Sequence, residues 1–162
     1  MPTTINGTPG GTAMVSGAMP AFRAFAGTAQ TLTSTIDTKI ALTGETFDTA
    51  SCFNNTAGTV GGIPAYSFLP NVAGYYQINA VIGVVATSLN YNFIQIRKNN
   101  INENIAIYGP YNATTNYGSL AVLLFLNGTT DYVDLFVQAG GTGTIATIIN
   151  TTFLSGSLVR AA

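Results

Sequence analysis

Six carboxylates, one thiol and no histidine are what this chain of 162 residues offers for acid–base or nucleophilic chemistry. The acids are Asp37, Glu45, Asp48, Glu103, Asp131 and Asp134, and two pairs are close in sequence, Glu45 with Asp48 and Asp131 with Asp134. Paired carboxylates can hydrolyse glycosides, one acting as acid and the other as base or nucleophile. That division of labour needs an apolar pocket to raise one pKa. Both pairs stand in strand and loop segments with no such pocket beside them, so they read as solvated acids. Without histidine, neither Cys52 nor any serine has its usual base, and Cys52 reads as a small half-buried side chain. No glycine-rich phosphate loop follows a strand and opens a helix. The expectation is no catalytic residue, no cofactor and no metal site, hence not an enzyme.

Composition narrows the partners. Charged residues make up 7% of the chain and the net charge is −1, against about 25% charged residues in ordinary soluble domains. Five scattered Lys and Arg give no basic stripe for phosphates, which argues against nucleic acid. So little charge also leaves little repulsion between copies, which favours assembly. Gly, Asn or Thr interrupts every apolar run before it reaches the length of a membrane span, so no membrane is expected as a partner. The segment beginning Met-Pro-Thr-Thr-Ile-Asn-Gly lacks the basic and apolar parts of a secretion signal. A lone cysteine fits synthesis in a reducing host cytoplasm. The Asn-x-Thr triplets at Asn54, Asn112, Asn127 and Asn150 carry little weight in a chain this rich in both residues.

The elements that must position any site are strands. Residues 119–126 are apolar at nearly every position, Asn127-Gly128 breaks them as a turn, and the next segment alternates, with Val133, Leu135, Val137 and Ala139 on one face. A strand apolar on both faces needs cover on its second side, and another copy of the chain is the natural cover. Residues 1–19 have no periodicity and read as an extended arm; residues 20–162 read as one domain. Strands are expected at 21–26, 38–42, 51–53, 65–69, 75–85, 92–97, 101–108, 119–126, 132–139, 144–149 and 153–159, with Lys98-Asn99-Asn100 as a hairpin turn whose Asn residues tolerate positive φ. Roughly ten short strands and no convincing helix make an all-β sandwich or jelly roll.

Several of these segments resemble one family. The aromatic Ala21-Phe22-Arg23-Ala24-Phe25 is similar to an early strand of the globular head domain of complement component one, subunit q, and of the related tumour necrosis factor superfamily. Phe68 followed by Gly74-Tyr75-Tyr76-Gln77-Ile78 is similar to the family's central motif. The turn after Ile94-Gln95-Ile96-Arg97, the hairpin from Leu124 through Gly128 to Leu135, and the closing Leu154-Ser155-Gly156-Ser157-Leu158 resemble three more. Ala73, Ile78 and Leu154 depart from the family's residues, though each keeps an apolar position, and the collagen-like stalk is missing.

The resemblance implies a ten-stranded jelly-roll β-sandwich that forms a homotrimer. Tyr76, Ile78, Leu120, Val122, Leu124 and Phe153 are its interface candidates, the alternative for each being the chain's own core. Some family members bind calcium, but two neighbouring acids, Asp131 and Asp134, fall short of the six or so oxygens a hard cation takes. Three functions are open to such a chain. A phage virion structural protein would decorate or cement a capsid, with the major capsid protein as partner and the arm as anchor. A receptor- or glycan-binding knob of a tail fibre or baseplate would use loops 54–64 and 108–117, where Tyr108, Tyr111 and Tyr117 could stack on a sugar. A secreted signalling ligand fits least, lacking signal, stalk and disulfide. The first is the expectation, with location on the virion surface.

Overall fold

The computed structural model describes residues 19–108 and 113–162; the expected arm, apart from Met19, lies outside them, as does Tyr111. Among the described residues there is no helix. Twelve strands are present: β1 Ala21–Phe25, β2 Thr31–Leu32, β3 Thr38–Lys39, β4 Gly44–Asp48, β5 Phe53–Asn54, β6 Ser67–Phe68, β7 Gly74–Lys98, β8 Ile101–Tyr108, β9 Ala113–Leu126, β10 Val133–Thr142, β11 Ile145–Thr147 and β12 Phe153–Ala161. Every pairing between them is antiparallel.

β7 joins the two layers. Its first half, up to Val85, lies between β12 and β9, and β12 continues to β1 and then β4. Its second half, from Asn92, lies between β10 and β8, while β10 also takes up β3 and β6, and β6 takes up β5. The sequence reading placed two strands here. The structure fuses them into a single strand of 25 residues, because the intervening polar residues keep an extended backbone while its partners change from one sheet to the other. Register shifts beside Leu89 and Gly141 mark the bend, as irregularities commonly do where a strand turns a corner.

Side chains alternate across each strand, and those facing between the layers make one core. Phe22 lies stacked between Phe53 and Phe68, with ring centres 5.1 and 4.2 Å away. Tyr76 meets Phe68 edge-on at 5.6 Å, and its hydroxyl donates to the Val72 carbonyl at 2.7 Å, so the one polar atom of a fully buried ring is satisfied. Ile78, Ile82, Ile94, Ile96, Leu126 and Leu135 complete the core without measurable exposure.

The turns follow their residue chemistry. Asn99 and Asn100 adopt φ of 52° and 66° in the β7–β8 turn, and Gly128 adopts 74° after β9. Asn127 Oδ1 accepts the amides of Thr129, Thr130 and Asp131, all within 3.0 Å, the local bonding for which Asn is favoured in turns. At Gly128 a Cβ would lie 2.5 Å from the Ala73 nitrogen, so the hairpin can close against its neighbour only with glycine there.

Candidate functional site

The acids do not form a reaction centre. Asp131 and Asp134, close in sequence, bond to different partners. Asp131 Oδ2 meets Lys98 Nζ at 2.9 Å, and the carboxylate also accepts from the Asn99 side chain and the Asn127 amide. Burial works to raise its carboxyl, but Asn99, Lys98 and the Asn127 amide outweigh it and hold Asp131 below the usual carboxylate range. Asp134 is fully buried and meets Lys39 Nζ at 2.8 Å. Burial raises its carboxyl, with Lys39 and Arg97 opposing. The reading of this pair as solvated acids is therefore corrected. Alternation put Asp134 on the outside of β10, but Lys39 from the neighbouring β3 reaches it and its side chain has no exposure to water.

Asp48 caps a turn, its carboxylate accepting from the Ala50 and Phe53 amides. Glu45 stays exposed, raised by partial burial and by Asp48. Asp37 pairs with Arg97. No group of three or more metal-ligating side chains converges among the described residues. Cys52 is buried rather than half-buried, which raises its thiol.

The feature that stands out is a sheet face. On the outside of the layer formed by β12, the first half of β7, and β9, the cross-strand pairs Tyr75–Phe125, Gln77–Leu123, Asn79–Ala121 and Val81–Ser119 point away from the core. None of these eight residues is charged. Leu123 is 55% exposed, Tyr75 45% and Phe125 41%. Between the bulky ends the face dips into a depression of 260 Å³ lined by Asn79, Val81, Ser119 and Ala121. Further along, Tyr117 stands opposite Gly83, where a Cβ would come 3.0 Å from the ring, and Val85 extends the apolar strip.

The six interface candidates fall on three kinds of position. Tyr76, Ile78 and Leu124 face the other layer and are buried in the chain's own core. Leu120 and Val122 share that face and pack partly buried against it. Phe153 lies on the opposite, outward side, half-buried under the Arg23 guanidinium 4.5 Å above its ring. The outward residues of β7 and β9 were missed because both faces of β9 are apolar. A signal was available: Gln77 and Asn79 alternate with Tyr76 and Ile78, which marks the odd-numbered side of β7 as the outer one.

Of the sugar-stacking candidates, Tyr117 belongs to this sheet face and is 55% exposed. The side chains of Tyr108 and Tyr111 lie outside the described residues. Loop 54–64 is built around Asn54, whose buried Nδ2 donates to the Gly58, Ile63 and Pro64 carbonyls at 2.6, 2.9 and 3.1 Å. A depression of 290 Å³ beside it is lined by Ser51, Asn55, Thr56, Val60 and Ile63.

No protein-family model matches the chain, and no characterised protein sequence does. Solved structures do match. The globular domain of zebrafish complement 1qA protein superposes with a TM-score of 0.62 at 13% identity, covering 89% of this chain and 99% of that one. Murine APRIL gives 0.64 at 8% identity, covering 87% and 99%. The PRD1 vertex protein P5 gives 0.57 at 10% identity, covering 90% and 100%. The fold is thus the all-β jelly roll of complement globular heads and tumour necrosis factor ligands, as the sequence motifs implied.

Proposed function

We propose that the chain is a non-enzymatic virion structural protein, a homotrimer that decorates or cements the capsid of a tailed phage. The observation that carries this reading is the uncharged outward face of β7 and β9, with Tyr75, Leu123 and Phe125 held largely in solvent. Large apolar side chains gathered on one face of a small domain mark an interaction surface. Asp37, Lys39, Arg97 and Asp134 cluster on the second layer. In the first layer the charges stand on the strands beyond β7, with Arg23 on β1, Glu45 and Asp48 on β4 and Arg160 on β12. The paired residues of β7 and β9 therefore bring no charge of their own that an interface would have to desolvate.

The trimer packs through this face, and Tyr76, Ile78, Leu120, Val122 and Leu124 support it from beneath while Phe153 borders it on the β12 side. The fold likeness to a vertex protein favours a place on the virion surface, with the major capsid protein as the second partner. Residues 1–19 serve as the anchor. The proposal includes no cofactor, nucleic acid or membrane. Sedimentation equilibrium tests the assembly: a mass of three chains supports it and a monomer at micromolar concentration overturns it. Gold-labelled antibody on intact virions tests the location, with label over the head expected. Removing residues 1–19 leaves the trimer folded and abolishes its attachment to capsids.

A second reading has its own observation. The Asn54-braced loop and its depression are prearranged as a binding site should be, which suits a receptor- or glycan-binding knob. Label confined to the tail selects it over the capsid reading.

A further inference from the structure

Residues 34–40 run along the edge of β10 as a strap. Ser34 Oγ exchanges hydrogen bonds with the Gly141 amide and carbonyl, the Thr35 amide donates to the Ala139 carbonyl, and the Ile40 amide donates to the Leu135 carbonyl. Between these, β3 contributes a ladder of two residues, Thr38 opposite Val137 and Lys39 opposite Phe136. So short a ladder holds weakly unless side chains add to it.

They add an alternating square of charge. Asp37 and Lys39 come from the strap; Arg97 and Asp134 are directly opposed residues of β7 and β10 beside it. Asp37 pairs with Arg97 at 2.5 Å and Lys39 with Asp134 at 2.8 Å. The Arg97 guanidinium carbon sits over the Phe136 ring, 3.9 Å from its centre, and Lys39 also donates to Ser67 Oγ at 2.9 Å. The four are unequally placed. Asp37 is 40% exposed, whereas Asp134 has no exposure at all, and among the described residues no other side chain donates to its oxygens.

An ionised carboxylate closed off from water is unfavourable, and one lysine offsets that only in part. Lifting the strap returns Asp134 to water; protonating Asp134 removes the penalty with the strap in place. The closed strap therefore holds the proton more tightly than the open one, and linkage makes acid favour closure.

We propose that residues 34–40 are a charge-latched strap on the edge of β10, held most firmly while Asp134 is protonated and loosened as it ionises with rising pH. The sign agrees with the environment of Asp134, whose carboxyl is raised above its ordinary value by burial: the stability of the closed state is fullest where Asp134 is protonated and declines as pH rises through its closed-state pKa. The groups that face it are Lys39 from β3, Arg97 from β7 and Tyr132 just before β10, with Asp37 paired to Arg97. With the strap lifted, the Leu135 and Ala139 carbonyls lose their partners, leaving an edge on which another strand can pair.

Native-state amide exchange on the full chain tests this, reading the Thr35 and Ile40 amides at mildly acid and neutral pH after correction for intrinsic exchange. Protection at both falls several-fold on going to neutral pH in the wild type, and Asp134→Asn flattens the change. Lys39→Met, which leaves the carboxylate uncompensated, steepens it. Asp37→Asn, which removes the outer ion pair but keeps Asp134, leaves the neutral-side loss in place. Protection that is independent of pH in the wild type, or an unchanged pH response in Asp134→Asn, overturns the latch. If Asp134→Asn does not fold, Lys39→Met decides alone: equal loss at both pH values sinks the proposal.

Discussion

Tyr75 and Phe125 meet edge to face on the outside of the sheet, ring centres 5.5 Å apart, as directly opposed residues of β7 and β9. Such a pair contributes about 0.5–1.5 kcal/mol, a modest return for leaving two aromatic rings nearly half in water. The sequence neighbours Tyr76 and Leu124 point the other way and are buried. The two sides of the same strands can therefore be tested apart. Phe125→Asp and Leu123→Asp place a charge on the outer face only, so each yields a folded monomer, whereas Leu124→Asp puts a charge in the core and prevents folding. Sedimentation velocity with near-ultraviolet circular dichroism reads both outcomes. A trimer that persists in both outer variants would remove this face from the assembly.

The hairpin after β9 is held by Asp131 as much as by its glycine. Lys98, Asn99 and the Asn127 amide all donate to that carboxylate, and the net effect is a folded-state pKa held below the ordinary value of 3.8. A carboxyl depressed in the folded state stabilises the fold at pH above its unfolded value and loses that contribution as pH falls through the folded one. The acid limb of the unfolding curve is therefore steeper in the wild type than in Asp131→Asn. At neutral pH the variant is less stable by about 2 kcal/mol, the range for hydrogen bonds to a charged group. Urea unfolding at neutral and strongly acid pH measures both; an Asn variant with an unchanged acid limb would contradict the assignment.

Much of this was legible in the sequence, and the gaps have physical causes. Alternation located Val133, Leu135 and Val137 in the core, and Asn99-Asn100 and Asn127-Gly128 announced their turns, because local steric preferences decide those features. The short strands β3, β5 and β6 lie in or beside strands expected at 38–42, 51–53 and 65–69, whereas β2, which exists only as a partner of β11, has no local signature. β7 read as two strands because polar residues separate its apolar halves, although nothing there stops the backbone from staying extended. The burial of Asp134 was not legible, because its partner Lys39 comes from a strand about a hundred positions away in the chain. The double apolarity of β9 was visible in the sequence, but β9 itself gave no indication which side faces the core and which faces out.

The aromatic stack offers a test of the core. Phe22 touches both Phe53 and Phe68 with nearly parallel rings, 14° and 18° from coplanar, and its side chain is fully buried. Phe22→Ala leaves a cavity between two layers that are tied together at several other points, so collapse is incomplete and the loss is about 3–5 kcal/mol. Tyr76→Phe keeps the ring and removes only the bond to the Val72 carbonyl, stranding one buried acceptor, at a cost of about 1 kcal/mol. Denaturant midpoints at constant slope separate the two. A Tyr76 variant as damaging as the Phe22 variant would mean that the hydroxyl orders more than its one carbonyl.

Lys39 and Asp134 permit a cycle that distinguishes an ion pair's worth from the cost of breaking it. Lys39→Met leaves a buried, uncompensated carboxylate, and removing one partner of such a pair costs on the order of 3 kcal/mol; the lysine's partial exposure places the value at the lower end of the usual range. Asp134→Asn leaves a lysine that can still reach water, so it costs less, and the double variant is more stable than Lys39→Met alone. The ordering is the test, because it follows from where each charge sits and not from the pair's attraction, which is the same for both partners. Chemical denaturation of the three variants at neutral pH gives it directly. If Asp134→Asn costs more than Lys39→Met, then the lysine is the stranded charge and the assignment of the buried member is reversed.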